Sequence, residues 1–305
     1  MPVLAQSPAA SAAVPLILNG LAGARHTEQE AKKIEAAFRE AGCACSVELL
    51  AQGDSPREAA LRAMKAQPRL LVAAGGDGTL GAVADVVRGT KTALGVLPMG
   101  TLNHFARDLG IPLDLGDAVR TIVAGKQIAV DVGEVNGLCF LNNASLGLYP
   151  DIVRERTRQQ RRLGRSKRAA MLWATLAVLD RPPLLDLRLE LDGGVRDCGA
   201  PFVFIGNNHY ALEGFDIGRR ERLDAGLLTV YTTRSTSAGG LLMLALRALA
   251  GRLRQADDFV ESSARSLRVA SRRPQVFVAT DGELRMMETP LEFRIRPRAL
   301  QVIVP

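Results

Sequence analysis

Residues 73–87 read AAGGDGTLGAVADVV, and this stretch indicates the fold class of the first part of the chain. The residues before it, Leu70–Ala74, form a short apolar run that is typical of a buried strand. The apolar residues after it, between Leu80 and Val87, recur at roughly helical spacing. The glycines therefore fall at a turn from a strand to a helix, where backbone N–H groups and the helix dipole favour a bound anion.

Strands and helices alternate on both sides of this turn. The patterns predict strands at 14–18, 45–50, 70–74 and 93–97, and helices at 27–41, 55–66, 80–88 and 115–124. Such alternation is typical of a parallel sheet with helices on both faces. We therefore predict a Rossmann-like α/β domain over residues 14–127, after a disordered tail at 1–13.

The pattern changes near Ile128, where short β-rich runs replace the alternation. The runs lie at 184–191, 201–206, 227–232, 266–270, 275–279 and 291–296. Turn signals such as Asn136-Gly137 and Asp281-Gly282 separate strands of this kind. We predict an antiparallel β-sandwich domain over 128–305, with helices near 151–180 and 236–254 and a last strand that is free to return to the first domain.

Composition limits the possible classes of protein. The chain has 305 residues, a net charge of +7 and 47% hydrophobic residues, which suits a globular protein with an anionic partner. Its four cysteines lack zinc-site spacing and predict reduced thiols in the cytoplasm. Every apolar run is shorter than the ~20 residues of a membrane span. With 4% aromatic residues and no recognition motif, nucleic acid is not an expected partner.

The glycine-rich turn has the residue types of a phosphate site. Gly75, Gly76 and Gly78 let the backbone approach phosphate oxygens, while Thr79 can cap the helix and donate its hydroxyl. Asp77 would repel a phosphate but could hold a Mg²⁺ ion that travels with it. The turn lacks the lysine of a P-loop. The alternative is a tight turn that binds no ligand.

A second turn, LPMGTLNHFAR at 97–107, also follows a strand and opens a helix. Gly100 and Thr101 would add N–H groups at the same carboxyl edge of the sheet, where ligands bind in open α/β folds. Asn103 adds an uncharged donor. Arg107 lies one helical turn further on, and by itself it is typical of a surface side chain.

The stretch TDGE at 280–283 carries two acids. Asp281 and Glu283 are two residues apart, so their side chains would share one side of a regular strand. A carboxylate in this place could accept the proton of a substrate hydroxyl during phosphoryl transfer. A plain hairpin is the alternative interpretation.

Together these segments resemble the diacylglycerol kinase family of lipid kinases, in its bacterial soluble branch, which shares a superfamily with sphingosine and ceramide kinases. The matching segments occur in family order: LNGLAG at 18–23, GGDGT at 75–79, LGVLPMGTLNHFARDLGIP at 94–112, VNGLCFLNNASLG at 135–147, FIGNNHYALEGFDI at 204–217, LDAGLLTV at 223–230 and TDGE at 280–283. GGDGT alone is shared with NAD kinases, whereas the segment around 98–107 is more specific to lipid kinases.

The resemblance implies a two-domain fold with ATP and Mg²⁺ in a cleft, and a lipid hydroxyl as acceptor. It makes Glu283 the proton acceptor, with Asp281 beside it. The residues that it implies around the nucleotide are Asn19, Gly23, Gly75, Gly76, Asp77, Gly78, Thr79, Gly100, Thr101 and Asn103. Such an enzyme would be cytoplasmic, or peripheral on the inner face of the membrane.

The chain departs from the family pattern at three places. Gly81-Ala82 follows GGDGT where Asn-Glu is common, and Gly20 replaces a proline of the first loop. The family's Asp-Asp-Gly segment, which can hold a structural Mg²⁺, reads Asp224-Ala225-Gly226. Asp224 would then be the remaining carboxylate for that metal.

A basic segment from Arg154 to Arg168 leads into an apolar stretch with the only tryptophan, Trp173. This order fits a helix that meets an anionic bilayer, and a solvated helix face is the alternative. The sequence is also compatible with a homodimer. Two other functions stay open: phosphorylation of a soluble acceptor such as NAD, because GGDGT is shared, and non-catalytic binding of a nucleotide or lipid, because of the departures at Gly81, Ala82 and Ala225.

Overall fold

In the computed structural model the chain forms two compact units. Unit 1 comprises Met1–Val130 with Arg298–Pro305, and unit 2 comprises Asp131–Pro297. The residues that the structure describes are 13–19, 28–148, 150–155, 185–192, 194–211, 219–234, 237–249 and 259–305.

Unit 1 has the predicted α/β architecture. Its elements are β1 (Val14–Asn19), α1 (Glu28–Glu40), β2 (Cys45–Leu50), α2 (Pro56–Met64), β3 (Leu70–Gly75), α3 (Asp77–Val87), β4 (Ala93–Pro98), α4 (His104–Asp108) and α5 (Leu115–Ala124). The four strands pair in parallel in the order β2-β1-β3-β4. The prediction of a parallel sheet is confirmed.

Burial explains why these segments adopt their structures. β3 is buried along most of its length, as expected for a parallel strand with both faces covered. Helix α1 buries Ile34 and Phe38, which are four residues apart and therefore lie on one face. Helix α5 has Asp114 as its N-cap, where the side chain accepts a hydrogen bond from the N–H of Asp117. Its C-cap is Gly125, which has a left-handed backbone.

Helix α3 begins at Asp77, three residues before the predicted start at position 80. The prediction used the first apolar residue of the periodic pattern, Leu80. In the structure the N–H of Leu80 already bonds to the carbonyl of Gly76, so the residues of the glycine motif form the first turn of the helix. This difference places the motif at the helix N-terminus.

Unit 2 contains two antiparallel sheets. Its strands are β5 (Gln127–Val135, of which 127–130 belong to unit 1), β6 (Leu138–Phe140), β7 (Asn143–Gly147), β8 (Leu185–Leu191), β9 (Gly194–Ala200), β10 (Phe202–Asn207), β11 (Leu228–Thr233), β12 (Phe259–Ala264), β13 (Ser266–Ser271), β14 (Gln275–Thr280), β15 (Glu283–Glu288) and β16 (Leu291–Ile303, of which 298–303 belong to unit 1). Residues 150–155 are helical, and α6 (Ala238–Leu249) is a longer helix. One sheet has the order β12-β11-β10-β7-β14-β15. The other has the order β16-β13-β8-β9, and β5 pairs with β16 and β6.

Apolar side chains from both sheets form one core, which confirms the predicted sandwich. Leu189, Leu267 and Phe293 come from one sheet, and Leu146 and Ile205 come from the other. Such a core between two inner faces is the usual basis of a β-sandwich.

Two strands, β9 and β12, were not predicted, and β15 was predicted only as the second strand of the hairpin at Asp281-Gly282. Each lies at the end of a sheet and pairs with one neighbour only. Strand β15 is mostly exposed, so its sequence lacks the alternation that a half-buried strand shows. The last strand also runs further than the predicted 291–296. It continues past Pro297 and left-handed Arg298, and its residues from Arg298 on belong to unit 1.

The two hairpin turns predicted from sequence are confirmed. Asn136 and Gly137 both have positive φ, as do Asp281 and Gly282, and a type I′ turn requires this at both central residues. Of the helices predicted in the second half, the one near 236–254 is confirmed over α6; of the one near 151–180, residues 151–155 are helical and residues 156–180 lie outside the described part of the chain. Within that described part, no helix is both long enough and apolar enough to cross a bilayer.

Candidate active site

The two glycine turns of unit 1 lie side by side. Strands β3 and β4 are neighbours, and their last residues, Gly75 and Pro98, are paired across the sheet. Each strand leads directly into a turn and then a helix, so both turns occupy the carboxyl edge of the sheet. The prediction that they share this edge follows from parallel pairing and is confirmed.

The turns touch through their backbones. A Cβ added at Gly100 would lie 2.4 Å from the Cα of Gly76, far inside the contact distance of two carbons. In the same region, a Cβ at Gly75 would lie 2.7 Å from the Oγ1 of Thr79. Glycine is therefore required at both places by close packing, and positive φ is not the reason.

The N-terminus of α3 has the features of an anion site. Gly76 stands at the N-cap and has no side chain with which to cap the helix. The first N–H groups of a helix have no partner within the helix, and its dipole adds partial positive charge. The side chain of Thr79 lies in this first turn, where its Oγ1 accepts a hydrogen bond from Asn19 Nδ2 at 2.8 Å. Asn19 thus fixes the Thr79 hydroxyl from the end of β1.

Asp77 joins the first turn to the second. Its Oδ2 accepts the N–H of His104 at 3.1 Å, and its Oδ1 accepts the N–H of Phe105 at 3.0 Å. Both carboxylate oxygens thus bind the start of α4. Asp77 was predicted as a ligand of nucleotide-linked Mg²⁺, but its contacts give it a structural function at this helix.

Asn103 shapes the second turn. Its backbone is left-handed, its Oδ1 accepts the N–H of Gly100 at 2.9 Å, and its Nδ2 donates to the carbonyl of Gly100 at 2.9 Å. The side chain is buried. Its predicted use as a donor to a ligand therefore competes with these two bonds. Thr101 is exposed on the turn, and Gly23 lies outside the described residues.

In unit 2, Asp281 stabilises a loop. It occupies the turn between β14 and β15, and its carboxylate accepts the N–H groups of Leu141, Asn142 and Asn143 at 2.7, 2.8 and 3.2 Å. Its own N–H donates to the carbonyl of Asn143 at 2.9 Å. A carboxylate with three backbone donors is well stabilised as an anion.

Glu283 is accessible to solvent and does not share the contacts of Asp281 given above. It is the first residue of β15, its side chain is 51% exposed, and its Oε2 lies 2.8 Å from Arg285 Nη2. The prediction that Asp281 and Glu283 share one side of a regular strand is wrong, because Asp281 has left-handed φ within the turn. Glu283 is thus the more available of the two acids.

The predicted structural metal site does not fit the residues present. The Oδ1 of Asp224 forms an ion pair with Arg222 Nη2 at 3.1 Å, and the next residue, Ala225, offers no side-chain ligand. The N–H of Gly226 donates to Asp131 Oδ2 at 2.6 Å. Among the residues that the structure describes, no group of three His, Cys, Asp or Glu side chains is arranged to hold a metal ion.

Arg220 and the residues that it contacts were not predicted from the sequence. Arg220 is 4% exposed and bonds to Leu141, Asn142 and Asn207. It lies in the run GRRER, where neighbouring arginines make it resemble a solvated side chain. The asparagine pairs at 142–143 and 207–208 were the available signal, since polar residues beside buried strands need partners.

Family comparisons agree with this architecture. The diacylglycerol kinase catalytic domain matches residues 13–135, and the YegS C-terminal NAD kinase beta sandwich-like domain matches residues 149–304. The chain therefore belongs to the diacylglycerol kinase-like family that combines these two domains.

Individual relatives point in the same direction. Proteins named diacylglycerol kinase from Staphylococcus aureus strains JH9 and Newman are each 32% identical over 201 residues, which is 64% of this chain and 62% of theirs. A crystal structure of a diacylglycerol kinase from Bacillus anthracis str. Sterne has a TM-score of 0.67 at 20% identity. A second structure from that organism has a TM-score of 0.72 at 21% identity, covering 96% of this chain and 97% of the other. These structures establish the shared fold.

Proposed function

We propose that the protein is a lipid kinase that transfers the γ-phosphoryl group of ATP to a hydroxyl of diacylglycerol or a related neutral lipid. The observation that carries the proposal is the close packing of two glycine turns at the carboxyl edge of the unit 1 sheet. Membership of the diacylglycerol kinase-like family supports the choice of reaction. The names of the Staphylococcus aureus relatives support the choice of acceptor.

Unit 1 would bind the triphosphate. Backbone N–H groups at the start of α3, together with the exposed turn at Thr101, would donate to phosphate oxygens, and the α3 dipole would favour their negative charge. Asn19 holds the Thr79 hydroxyl and Asp77 holds α4, so these donors are fixed before the nucleotide arrives. Fixed donors stabilise developing charge without reorganisation during the reaction.

A divalent ion would enter with the nucleotide and neutralise charge on the β- and γ-phosphates. Asp77 is the acidic residue of the GGDGT motif, but both of its carboxylate oxygens already accept hydrogen bonds from backbone N–H groups of α4. Phosphate oxygens of the nucleotide and water molecules would therefore supply most of the ligands for that ion.

Unit 2 would supply the proton acceptor. As the lipid oxygen bonds to the γ-phosphorus, the bond from that phosphorus to the β,γ-bridging oxygen breaks and ADP leaves. The hydroxyl proton passes to Glu283, whose carboxylate is half exposed at the turn after β14. Arg285 would orient this carboxylate through their ion pair.

A transfer assay tests the proposal. The full chain is incubated with γ-labelled ATP, Mg²⁺ and mixed micelles that carry diacylglycerol, monoacylglycerol, ceramide or sphingosine, and labelled lipid is separated by thin-layer chromatography. We expect labelled product from at least one neutral lipid. Parallel reactions with NAD as acceptor test the NAD kinase-like alternative. Label in NADP alone, or in no acceptor at all, would refute the proposed function.

A further inference from the structure

Arg220 is a buried cation at the centre of a polar cluster in unit 2. Its Nη1 donates to the carbonyl of Leu141 at 2.7 Å and to the carbonyl of Asn207 at 3.1 Å, and its Nη2 donates to Asn142 Oδ1 at 2.8 Å. The guanidinium carbon also lies 5.6 Å from the ring centroid of Tyr210. A guanidinium keeps its charge in proteins and presents donors in a fixed plane.

The same short loop is held from its other side by Asp281. The carboxylate of Asp281 accepts the N–H groups of Leu141 and Asn142, whereas Arg220 binds the carbonyl of Leu141 and the side chain of Asn142. Arg220 and Asp281 thus bind different polar groups of the same two residues, Leu141 and Asn142. Because Asp281 occupies the turn that leads into Glu283, the position of this loop affects the position of that turn.

The cluster extends to the buried carboxylate of Asp131. Asn207 Nδ2 donates to the carbonyl of Asp131 at 3.0 Å and to that of Leu141 at 2.8 Å. Asp131 is 1% exposed, and its Oδ2 accepts the N–H of Gly226 at 2.6 Å. The segment that carries Asp224 and Ala225 is therefore tied to Asp131 by this bond to the side chain and by a backbone bond, in which the N–H of Asp131 donates to the carbonyl of Leu223 at 2.7 Å.

We propose that Arg220 acts as a built-in cation that positions the 141–143 loop and, through Asp281, the turn carrying Glu283, so that this part of unit 2 is organised without a structural metal ion. The inference deepens the proposed kinase function and rests on it for the role of Glu283. The proposed effect of Arg220 on the 141–143 loop depends on the hydrogen bonds described above and does not require kinase activity. Arg220 is a positioning residue, because it acts on Glu283 through the 141–143 loop and Asp281.

Hydrogen exchange measures the structural part independently of activity. The full chain without nucleotide is compared in EDTA and in Mg²⁺, as wild type and as Arg220→Met, with amide exchange followed in peptides that cover 138–143 and 279–285. We expect at least tenfold faster exchange in both peptides for Arg220→Met. In wild type, Mg²⁺ should change the rates less than twofold. Arg222→Met, which removes an exposed arginine two residues away, should match wild type.

Two further variants cover the case in which Arg220→Met does not fold. Arg220→Lys keeps the charge but lacks the planar fork, and Asn142→Ala removes one acceptor while its backbone N–H still reaches Asp281. Each should accelerate exchange in the same peptides at least threefold. Wild-type rates in these variants would overturn the proposal, as would a tenfold slowing of wild-type exchange by Mg²⁺.

Kinetics test the link to Glu283. If the wild type phosphorylates a lipid, Arg220→Met should lower kcat at least tenfold and leave the KM for ATP within twofold, because the proposed phosphate-binding turns belong to unit 1. Accelerated exchange with an unchanged kcat would refute the positioning role. A wild type that phosphorylates no lipid would refute the proposed function instead, and the exchange data would still decide whether Arg220 organises the loop.

Discussion

The carboxylate of Asp77 accepts the backbone N–H of Phe105, with 3.0 Å between Oδ1 and the nitrogen. Its other oxygen accepts the N–H of His104, so one side chain of the first glycine turn caps the helix that follows the second. The acid of GGDGT therefore has a structural reason to be present, separate from any metal. Its removal should disturb both turns at once.

Asp77→Ala should lower the free energy of unfolding by about 1 kcal/mol, the usual effect of losing a helix cap. It should also raise the KM for ATP, because the second turn loses its support. Urea unfolding and steady-state kinetics measure the two effects. Asp114→Ala removes the cap of α5 and is the matched control, with a similar loss of stability and an unchanged KM. An Asp77→Ala protein that matches wild type in both properties would contradict the capping role.

Gly100→Ala should destabilise unit 1 by about 1–3 kcal/mol, because the new methyl group would overlap the Cα of Gly76. The turns must move apart, so ATP binding should weaken as well. Thermal unfolding and titration with ATP measure these changes. At Gly239 a Cβ has no neighbouring atom within 4 Å, and Gly239→Ala should leave the stability unchanged or slightly higher. Equal behaviour of the two alanine variants would show that the close approach has no consequence.

Glu283→Gln should lower kcat for lipid phosphorylation by about 100-fold or more, because the amide cannot accept the hydroxyl proton. Its thermal stability should stay near that of wild type, since the ion pair with Arg285 is largely exposed. Glu288→Gln changes the other end of the same strand and should keep wild-type kcat. Full activity of Glu283→Gln would remove this residue from the mechanism.

Asp192 links stability to pH. Its carboxylate accepts the N–H of Arg265 at 2.9 Å, and this bond is the main reason why the pKa of Asp192 lies below its ordinary value of 3.8. Partial desolvation raises the pKa, whereas the bond from the N–H of Ser266 lowers it further. A lowered pKa in the folded state stabilises the fold above pH 3.8, and this contribution is lost as the pH falls through the folded-state value.

Asp192→Asn should therefore cost stability at pH 7, by less than about 1 kcal/mol because solvent screens the site. The difference from wild type should shrink as the pH is lowered through the folded-state pKa of Asp192. Urea unfolding at a series of pH values measures it. A difference that stays constant down to pH 2 would show that the carboxylate charge does not contribute.

The parallel sheet of unit 1, the two glycine turns and the hairpins at Asn136 and Asp281 could all be predicted from the sequence. These features depend on local patterns: apolar runs, helical spacing and residues that tolerate positive φ. Strands β9 and β12, each at the end of a sheet, were missed, and β15 was predicted only through its hairpin turn, because an exposed strand such as β15 has no buried face to impose alternation.

The structural use of polar side chains within the motifs became visible only in the folded protein. Asp77 and Asp281 use their carboxylate oxygens on backbone groups that are distant in sequence, and Asn103 uses its amide on the backbone of Gly100 in its own turn. Arg220 is buried although its neighbours in sequence suggest a solvated segment. Hydrogen-bond partners are fixed by the packing of whole strands and turns, and sequence spacing reports only the local path of the chain.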